Sequence, residues 1–387
     1  MKKEIIIMLN SFWNHGKGMS GGDQMLIQIF GRIEFFFKKV YCITNYDGQA
    51  AFDNKLQNAS FLLSSQKLDK LNIILNYFFR TIQAFRILRL KNIDIIYGGS
   101  DFLPDVLPCF IYKKLHPNVK WIQCIFHIYP NYKVRPGNKT LNLLAQYSQR
   151  FSFYFSKKAD TVVNINSQVK SELIKLGFKQ NRIAINTPGI DFEFLNNITY
   201  DLSTPKFDAT FLGRLNHSKG IIDLIKIWKL VVNEVPNAKL LIIGSGSRNI
   251  ILELNKLINK YGLNQNITLS GYLNDTKAFK IIKKSRVFLF PSHEEGFGIA
   301  IAEALALEKL VISWDLEVYD EIFNDCITKI PMGNFNNFSS EIIKILSKKN
   351  IHLLKKINED NSKFIRKYDW SNVASNHLKI ITDKKIL

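Results

Sequence analysis

The stretch Phe290-Pro-Ser-His-Glu-Glu-Gly-Phe-Gly-Ile-Ala-Ile-Ala-Glu303 holds two carboxylates eight residues apart, Glu295 and Glu303, with Gly296 and Gly298 between them. Carboxylates accept hydrogen bonds from hydroxyls, often two at once, which suits sugar and ribose rings. The glycines leave room for a ligand against the first N–H groups of a helix expected to start near Gly298, a favourable place for phosphate or hydroxyl oxygens. Spacing alone carries little, because a chain with 33 acidic residues contains many such pairs. The strand–loop–helix setting and the inner glycines give this pair its meaning.

A second group is cationic. Phe211-Leu-Gly-Arg-Leu215 ends a strand, and Lys219-Gly220 opens a helix. Arg214 and Lys219 therefore belong at the C-terminal edge of a sheet, where doubly wound folds bind ligands. Two cations beside a helix N-terminus are what a diphosphate needs, although an Arg and a Lys on an ordinary solvated loop give the same pattern. The segment Asn14–Gly22 carries Gly16, Gly18, Gly21 and Gly22 ahead of a helix beginning at Asp23. It could let backbone approach a ligand closely, but it is neither a P-loop nor a good GxGxxG. Ile243-Gly-Ser-Gly246 reads as a structural turn. His127, in Phe126-His-Ile-Tyr129, stands at a strand end.

These residues need a scaffold, and the apolar pattern supplies one. Short β-rich runs alternate with longer helical stretches, which reads as parallel α/β architecture. The first half offers strands at Glu4–Leu9, Lys39–Thr44, Asp94–Gly98, Lys120–His127 and Asp160–Asn164, with helices such as Asp23–Phe37 and Leu71–Leu90. The second offers Asp208–Leu212, Lys239–Ile243, Ile267–Ser270, Arg286–Phe290 and Leu310–Ser313, with helices Gly220–Val235 and Ile250–Tyr261. Thr187–Lys206 lacks periodicity, carries Pro188, Gly189 and Pro205, and reads as an interdomain linker. The expected domains are residues 1–190 and 205–369, with a closing helix over about 370–387 packing back on the first.

The chain has 387 residues, enough for two or three domains at roughly 150 residues each. Its 53 basic residues against 33 acidic ones give a net charge of +20, which points to an anionic partner. Cys42, Cys109, Cys124 and Cys326 are scattered, so a disulfide framework is not expected and a reducing cytosol is. Ile5–Leu9 is too short for a signal sequence, and no window reaches the roughly 18 apolar residues a membrane span requires. The expected location is the cytoplasm, with any membrane contact peripheral, on the inner face.

Taken together these motifs resemble a retaining GT-B glycosyltransferase of family 4. The resemblance is carried by Phe211–Lys219, Lys239–Gly246, Ile267–Leu273 and Phe290–Leu305, with support from Asn166–Asp191, Gly21-Gly22 and Lys367–Val373. It implies two Rossmann-like doubly wound domains facing across a cleft, the first taking the acceptor and the second a nucleoside-diphosphate sugar. It implies that Arg214 and Lys219 bind the donor diphosphate, Glu303 the ribose hydroxyls, and that Glu295 lies near the donor sugar. Backbone at Phe297, Gly298 and Ile299 would contact sugar and phosphate oxygens, Gly21-Gly22 would approach the diphosphate, and His127 would face the reacting sugar. Two departures affect the contour near the donor: Ala306-Leu-Glu-Lys309 lacks the family's usual glycine, and Trp314-Asp-Leu-Glu317 replaces a small-residue turn.

The expected chemistry is hexosyl transfer from a UDP- or GDP-sugar to an acceptor hydroxyl, with retention through an oxocarbenium-like state. Arg214, Lys219 and a helix N-terminus could stabilise the departing diphosphate without metal, and no Asp-x-Asp is present. No cofactor is expected beyond the donor substrate. Between Asp105 and Asp160 there is no acid, and Lys113, Lys114, Lys120, Lys133, Arg135, Lys139, Arg150, Lys157 and Lys158 lie there with Tyr147, Phe151, Phe153, Tyr154 and Phe155 interleaved. Leu71–Lys91 adds Phe78, Phe79, Arg80, Phe85, Arg86 and Arg89. This basic aromatic surface suits an anionic membrane and a glycan or lipid-linked glycan acceptor; aromatics buried in a core under solvated lysines would read the same. A catalytically silent GT-B scaffold and a basic nucleic-acid-binding protein are the competing readings. The first sits poorly with the intact charged residues, and the second with the lack of any RRM, KH, zinc-finger or helix-turn-helix signature.

Overall fold

Strand β1 is Glu4–Met8, EIIIM, buried from its second residue onward. A continuous β-branched run of this kind is what a strand covered on both faces requires, and such strands are parallel. In the computed structural model, which describes residues 2–11, 21–52, 55–65, 68, 71–129, 131–133, 139–347 and 359–383, β1 pairs in parallel with β2 (Lys39–Thr44) and β4 (Ile95–Gly98). Strands β3 (Ala59–Leu63), β5 (Lys120–Cys124), β6 (Thr161–Asn164) and β7 (Ile183–Ile185) complete a seven-stranded sheet of order β3-β2-β1-β4-β5-β6-β7.

The second sheet has six strands in the order β10-β9-β8-β11-β12-β13. They are β8 (Ala209–Leu212), β9 (Leu240–Ile243), β10 (Ile267–Gly271), β11 (Val287–Phe290), β12 (Leu310–Trp314) and β13 (Thr328–Ile330), all parallel. In each sheet the winding reverses once, between β1 and β4 and between β8 and β11. Loops leaving the C-terminal ends of those strand pairs diverge and leave a crevice there.

The chain divides into two compact units, Met1–Pro188 with Trp370–Leu387, and Gly189–Asp369. Each has its own apolar core. Trp370, Val373, Ala374 and Ile381 of the closing helix Trp370–Thr382 lie in the core of the first unit. Residues 191–204, read from sequence as linker, are part of the second unit instead. Phe192–Asn196 is a short helix capped by Asp191, and Phe192, Leu195 and Ile198 are buried in that unit's core. Three apolar side chains spaced three apart were too short a run to register as a period. Strands β3, β7 and β13 also went unpredicted, being edge strands of three to five residues. The helix expected from Asp23 starts at Gly21, and Leu71–Leu90 narrows to Ile73–Leu88. Among the described residues no helix is long and apolar enough to cross a membrane.

Candidate functional site

The switch point of the second sheet collects most of the residues singled out by sequence. After β8 the chain runs through Gly213 and Arg214, forms a single 3-10 turn His217–Lys219, and enters the helix Ile221–Glu234. The Asn216 side chain caps the turn by accepting from the Lys219 N–H at 3.1 Å. Gly220 follows at φ 66°, and a Cβ there would sit 1.6 Å from the Pro291 carbonyl oxygen. Only glycine permits this approach, which presses the β8 loop onto the β11 loop. Two further bonds join the loops: the His293 N–H and the Ser292 hydroxyl both donate to the Ser218 carbonyl, at 2.8 and 3.2 Å.

The joined loops bring Lys219 and Glu295 together. The Lys219 ammonium donates to Glu295 Oε1 and lies 5.8 Å from the centre of the Phe290 ring. Both side chains are mostly shielded, at 19% and 10% exposure, so water and salt screen this pair less than a surface one. Arg214 is exposed on the same loop, and among the described residues its guanidinium makes no ion pair. Gly244 and Gly246, read as a structural turn, abut this loop: a Cβ on Gly244 would meet the Gly213 carbonyl at 1.8 Å.

Glu303 lies on the helix Ile299–Ala306, which Gly298 opens at φ 92°. The Glu303 carboxylate is half-buried and, among the described residues, makes no hydrogen bond or ion pair. Burial, with the Asp275 carboxylate as a lesser contributor, pushes its pKa up to about 8. An acid held neutral by desolvation and lacking a partner is poised to accept hydroxyl donors that restore its ionisation. Phe297 is buried, its ring 5.2 Å from Tyr368 and 6.0 Å from Phe323, and Ile299 is half-buried. Aromatic packing thus fixes the turn that aims the helix's first N–H groups.

Tyr319 was missed from sequence. It is fully buried, its ring would lie 3.4 Å from a Cβ on Gly298, and its hydroxyl has no hydrogen-bond partner among the described residues. Burial and the Glu295 charge together hold the phenol protonated. A tyrosine five residues beyond the departure at Trp314 gave no motif to detect.

The remaining candidates belong to the first unit. Gly21 and Gly22 open the helix Gly21–Ile33. A Cβ on Gly22 would meet the Phe126 ring at 2.7 Å, so this helix start abuts the loop after β5, and no atom of the described residues lies within 4 Å of a Cβ on Gly21. Gly16, Gly18 and Arg135 lie outside the described residues. His127 is exposed on that loop, its ring 5.7 Å from Tyr129. Its carbonyl accepts from Gln149, which also donates to Asp101 and accepts the Tyr129 N–H. Asp105, also missed, gathers the Asn10 and Ser11 N–H groups and the Ser11 and Ser100 hydroxyls at the β1/β4 switch point. Burial nonetheless raises its pKa to about 7. Among the described residues no cluster of three or more His, Cys, Asp or Glu could hold a metal ion.

Two Rossmann-like parallel-sheet units define the fold class, GT-B. Residues 199–364 match the family described as glycosyl transferases group 1; that stretch is a glycosyltransferase domain, and in class the chain is a glycosyltransferase. It is similar to an uncharacterized glycosyltransferase of Methanocaldococcus jannaschii, 25% identical over 74% of this chain and 74% of the relative. It is similar also to the alpha-monoglucosyldiacylglycerol synthase of Acholeplasma laidlawii, 21% identical over 85% and 84%. A crystal structure of Anabaena HepE with UDP and glucose superposes with a TM-score of 0.74 at 13% identity, covering 98% of this chain and all of that one.

Proposed function

We propose that this chain is a retaining, family 4 hexosyltransferase that moves a sugar from a UDP- or GDP-sugar to an acceptor hydroxyl. The observation that carries the reading is the ion pair of Lys219 with Glu295 at the β8/β11 switch point, with Arg214 exposed on the same loop. A pyrophosphate needs cations, and a hexose needs a hydrogen-bond acceptor beside them; this pair supplies both at one sheet edge. Arg214 and Lys219 would neutralise the diphosphate, Glu295 would take a donor-sugar hydroxyl, and Glu303 would accept from the two ribose hydroxyls. Backbone N–H groups at Phe297–Ile299, aimed by the Gly298 turn, would meet sugar and phosphate oxygens.

In the reaction the bond between the anomeric carbon and the diphosphate oxygen breaks, and the acceptor oxygen bonds that carbon on the same face. The acceptor proton passes to the departing phosphate oxygen, and Arg214 with Lys219 stabilises the charge that develops there. No metal step is invoked. His127 is proposed to face the reacting sugar. The acceptor is a glycan or lipid-linked glycan hydroxyl at the inner membrane face, a reading supported by the lipid product in the name of the Acholeplasma relative and by the basic first unit. Four free cysteines fit a cytoplasmic setting.

A thermal-shift panel of UDP-, GDP- and ADP-sugars tests this. One class of donor should stabilise the wild-type chain, and Arg214→Ala should abolish both the shift and turnover. Activity retained in Arg214→Ala means that the diphosphate lies elsewhere.

A further inference from the structure

The helix Ile73–Leu88 turns large apolar residues to water. Ile74, Leu75, Phe78, Phe79 and Ile82 are exposed, with Ile74 at 72% and Phe78 at 59%. Their spacing places them on one stripe of the helix, and Arg86 and Arg89, both exposed, continue that stripe at its C-terminal end. A second helix, Lys139–Ser156, does the same with Leu144, Tyr147, Phe151 and Tyr154, and the exposed Lys158 follows it. Both helices pack on the sides of the helix Leu103–Leu115, so both stripes belong to one helical layer of the first unit. Neither helix contains an acid.

Soluble proteins rarely expose so much apolar surface without a use for it. The composition says which use. A protein partner would match an apolar stripe with acids or polar groups at its rim, or with neutral ones. Here the charged residues that continue both stripes, Arg86, Arg89 and Lys158, are cationic, and the apolar set mixes aliphatic side chains with Tyr147 and Tyr154, whose rings suit a headgroup boundary. We infer that the outer faces of Ile73–Leu88 and Lys139–Ser156 dock on an anionic lipid bilayer, rings in the acyl boundary and Arg86, Arg89 and Lys158 at the headgroups. This deepens the membrane-surface part of the reading above and does not depend on the identity of the donor. The structure also refines the sequence reading. Arg80 is buried, its guanidinium bonded to the Asn10 carbonyl at 3.0 Å, and Phe153 is core, so neither belongs to the surface.

Co-sedimentation of the full chain with vesicles tests the assignment. The wild type should bind vesicles of phosphatidylcholine mixed with phosphatidylglycerol at low salt, and bind pure phosphatidylcholine more weakly. The pairs Phe78→Ser with Phe79→Ser, and Tyr147→Ser with Phe151→Ser, should each lower partitioning roughly tenfold or more. Their thermal midpoints should not fall, because these rings already face water. Arg86→Gln with Arg89→Gln should lower binding to the anionic vesicles roughly tenfold and leave binding to phosphatidylcholine unchanged. Aromatic variants that sediment like the wild type overturn the proposal. So does light scattering that shows the same variants abolishing self-association with no lipid binding at all, which would assign the face to a second copy of the chain. Calorimetry with UDP-glucose and GDP-mannose separates the two readings: a chain that binds vesicles but neither nucleotide sugar keeps this surface and loses the donor site.

Discussion

Lys219 and Glu295, 76 residues apart in the chain, form a shielded ion pair that ties the loop after β8 to the loop after β11. Each satisfies the other. A donor must divert the ammonium to its diphosphate and the carboxylate to its sugar. Removing one partner leaves a partly desolvated charge behind, so Lys219→Met should lower stability by about 1–3 kcal/mol and weaken nucleoside diphosphate binding roughly tenfold or more. Glu295→Gln should behave differently. It frees the ammonium and removes a negative charge from beside the diphosphate, so UDP or GDP alone should bind at least as tightly as to the wild type, while the extra affinity contributed by the sugar is lost. Calorimetric titration with nucleotide and nucleotide sugar checks both; a Glu295→Gln variant that loses nucleotide and nucleotide-sugar affinity equally places the carboxylate away from the sugar.

How much of this site was legible follows from where its specificity resides. Arg214, Lys219, Glu295 and Glu303 could be placed because they flank strands with continuous apolar runs, and a strand end fixes where a loop points. The pairing of Lys219 with Glu295 could not be read, because it depends on the Gly220–Pro291 approach between segments distant in sequence. Tyr319 and Asp105 stayed hidden for a related reason: a buried polar side chain in a helix has no local signature, and its meaning comes from which loops surround it. The outward faces of Ile73–Leu88 and Lys139–Ser156 lay between. Their basic and aromatic content was visible, yet sequence mixed Arg80 and Phe153, which are buried, with Phe78 and Phe151, which are not.

The Gly220 contact makes a prediction with a built-in control. Gly220→Ala must relieve both a left-handed backbone and a Cβ only 1.6 Å from the Pro291 oxygen. Gly262 has nearly the same φ, 68°, but open space around it, so Gly262→Ala meets only the backbone cost of about 1 kcal/mol. Gly220→Ala should therefore lose at least about 1 kcal/mol more, and with it the nucleotide-dependent thermal shift, since the Lys219 loop is pushed off its neighbour. Equal midpoints for the two variants would mean the Pro291 carbonyl yields freely.

Glu303 sets a pH dependence on ligand affinity. Its pKa of about 8 keeps it mostly neutral at pH 7. Two ribose hydroxyls would donate to the ionised form, so binding below pH 8 releases a proton. Affinity for UDP or GDP should then rise with pH toward 8, by up to about tenfold per unit, and level off above it. Glu303→Gln should bind more weakly and lack this slope. Titrations at pH 6, 7 and 8 in buffers of different ionisation enthalpy measure the released proton directly. A slope that survives in Glu303→Gln assigns the proton to another group.

His377 governs acid stability at the other end of the chain. It is fully buried where the closing helix Trp370–Thr382 meets the first unit. The Asn186 side-chain amide donates to its Nδ1 at 3.0 Å, which leaves Nε2–H to donate to the Tyr97 hydroxyl at 2.7 Å. The ring is thus held neutral, and burial lowers its pKa to about 3. In the unfolded chain the same imidazole takes a proton near pH 6.5. Between those values the unfolded state binds the extra proton, so the stability this ring contributes is complete above pH 6.5 and falls on acidification toward pH 3, by up to about 1.4 kcal/mol per unit. His377→Gln keeps a donor and an acceptor but cannot titrate. It should be less stable than the wild type at pH 7.5 by about 1–2 kcal/mol, and the gap should close as pH falls through 6 and 5. Urea unfolding across that range reads it out; curves that stay parallel throughout would place the acid-sensitive group elsewhere in the unit.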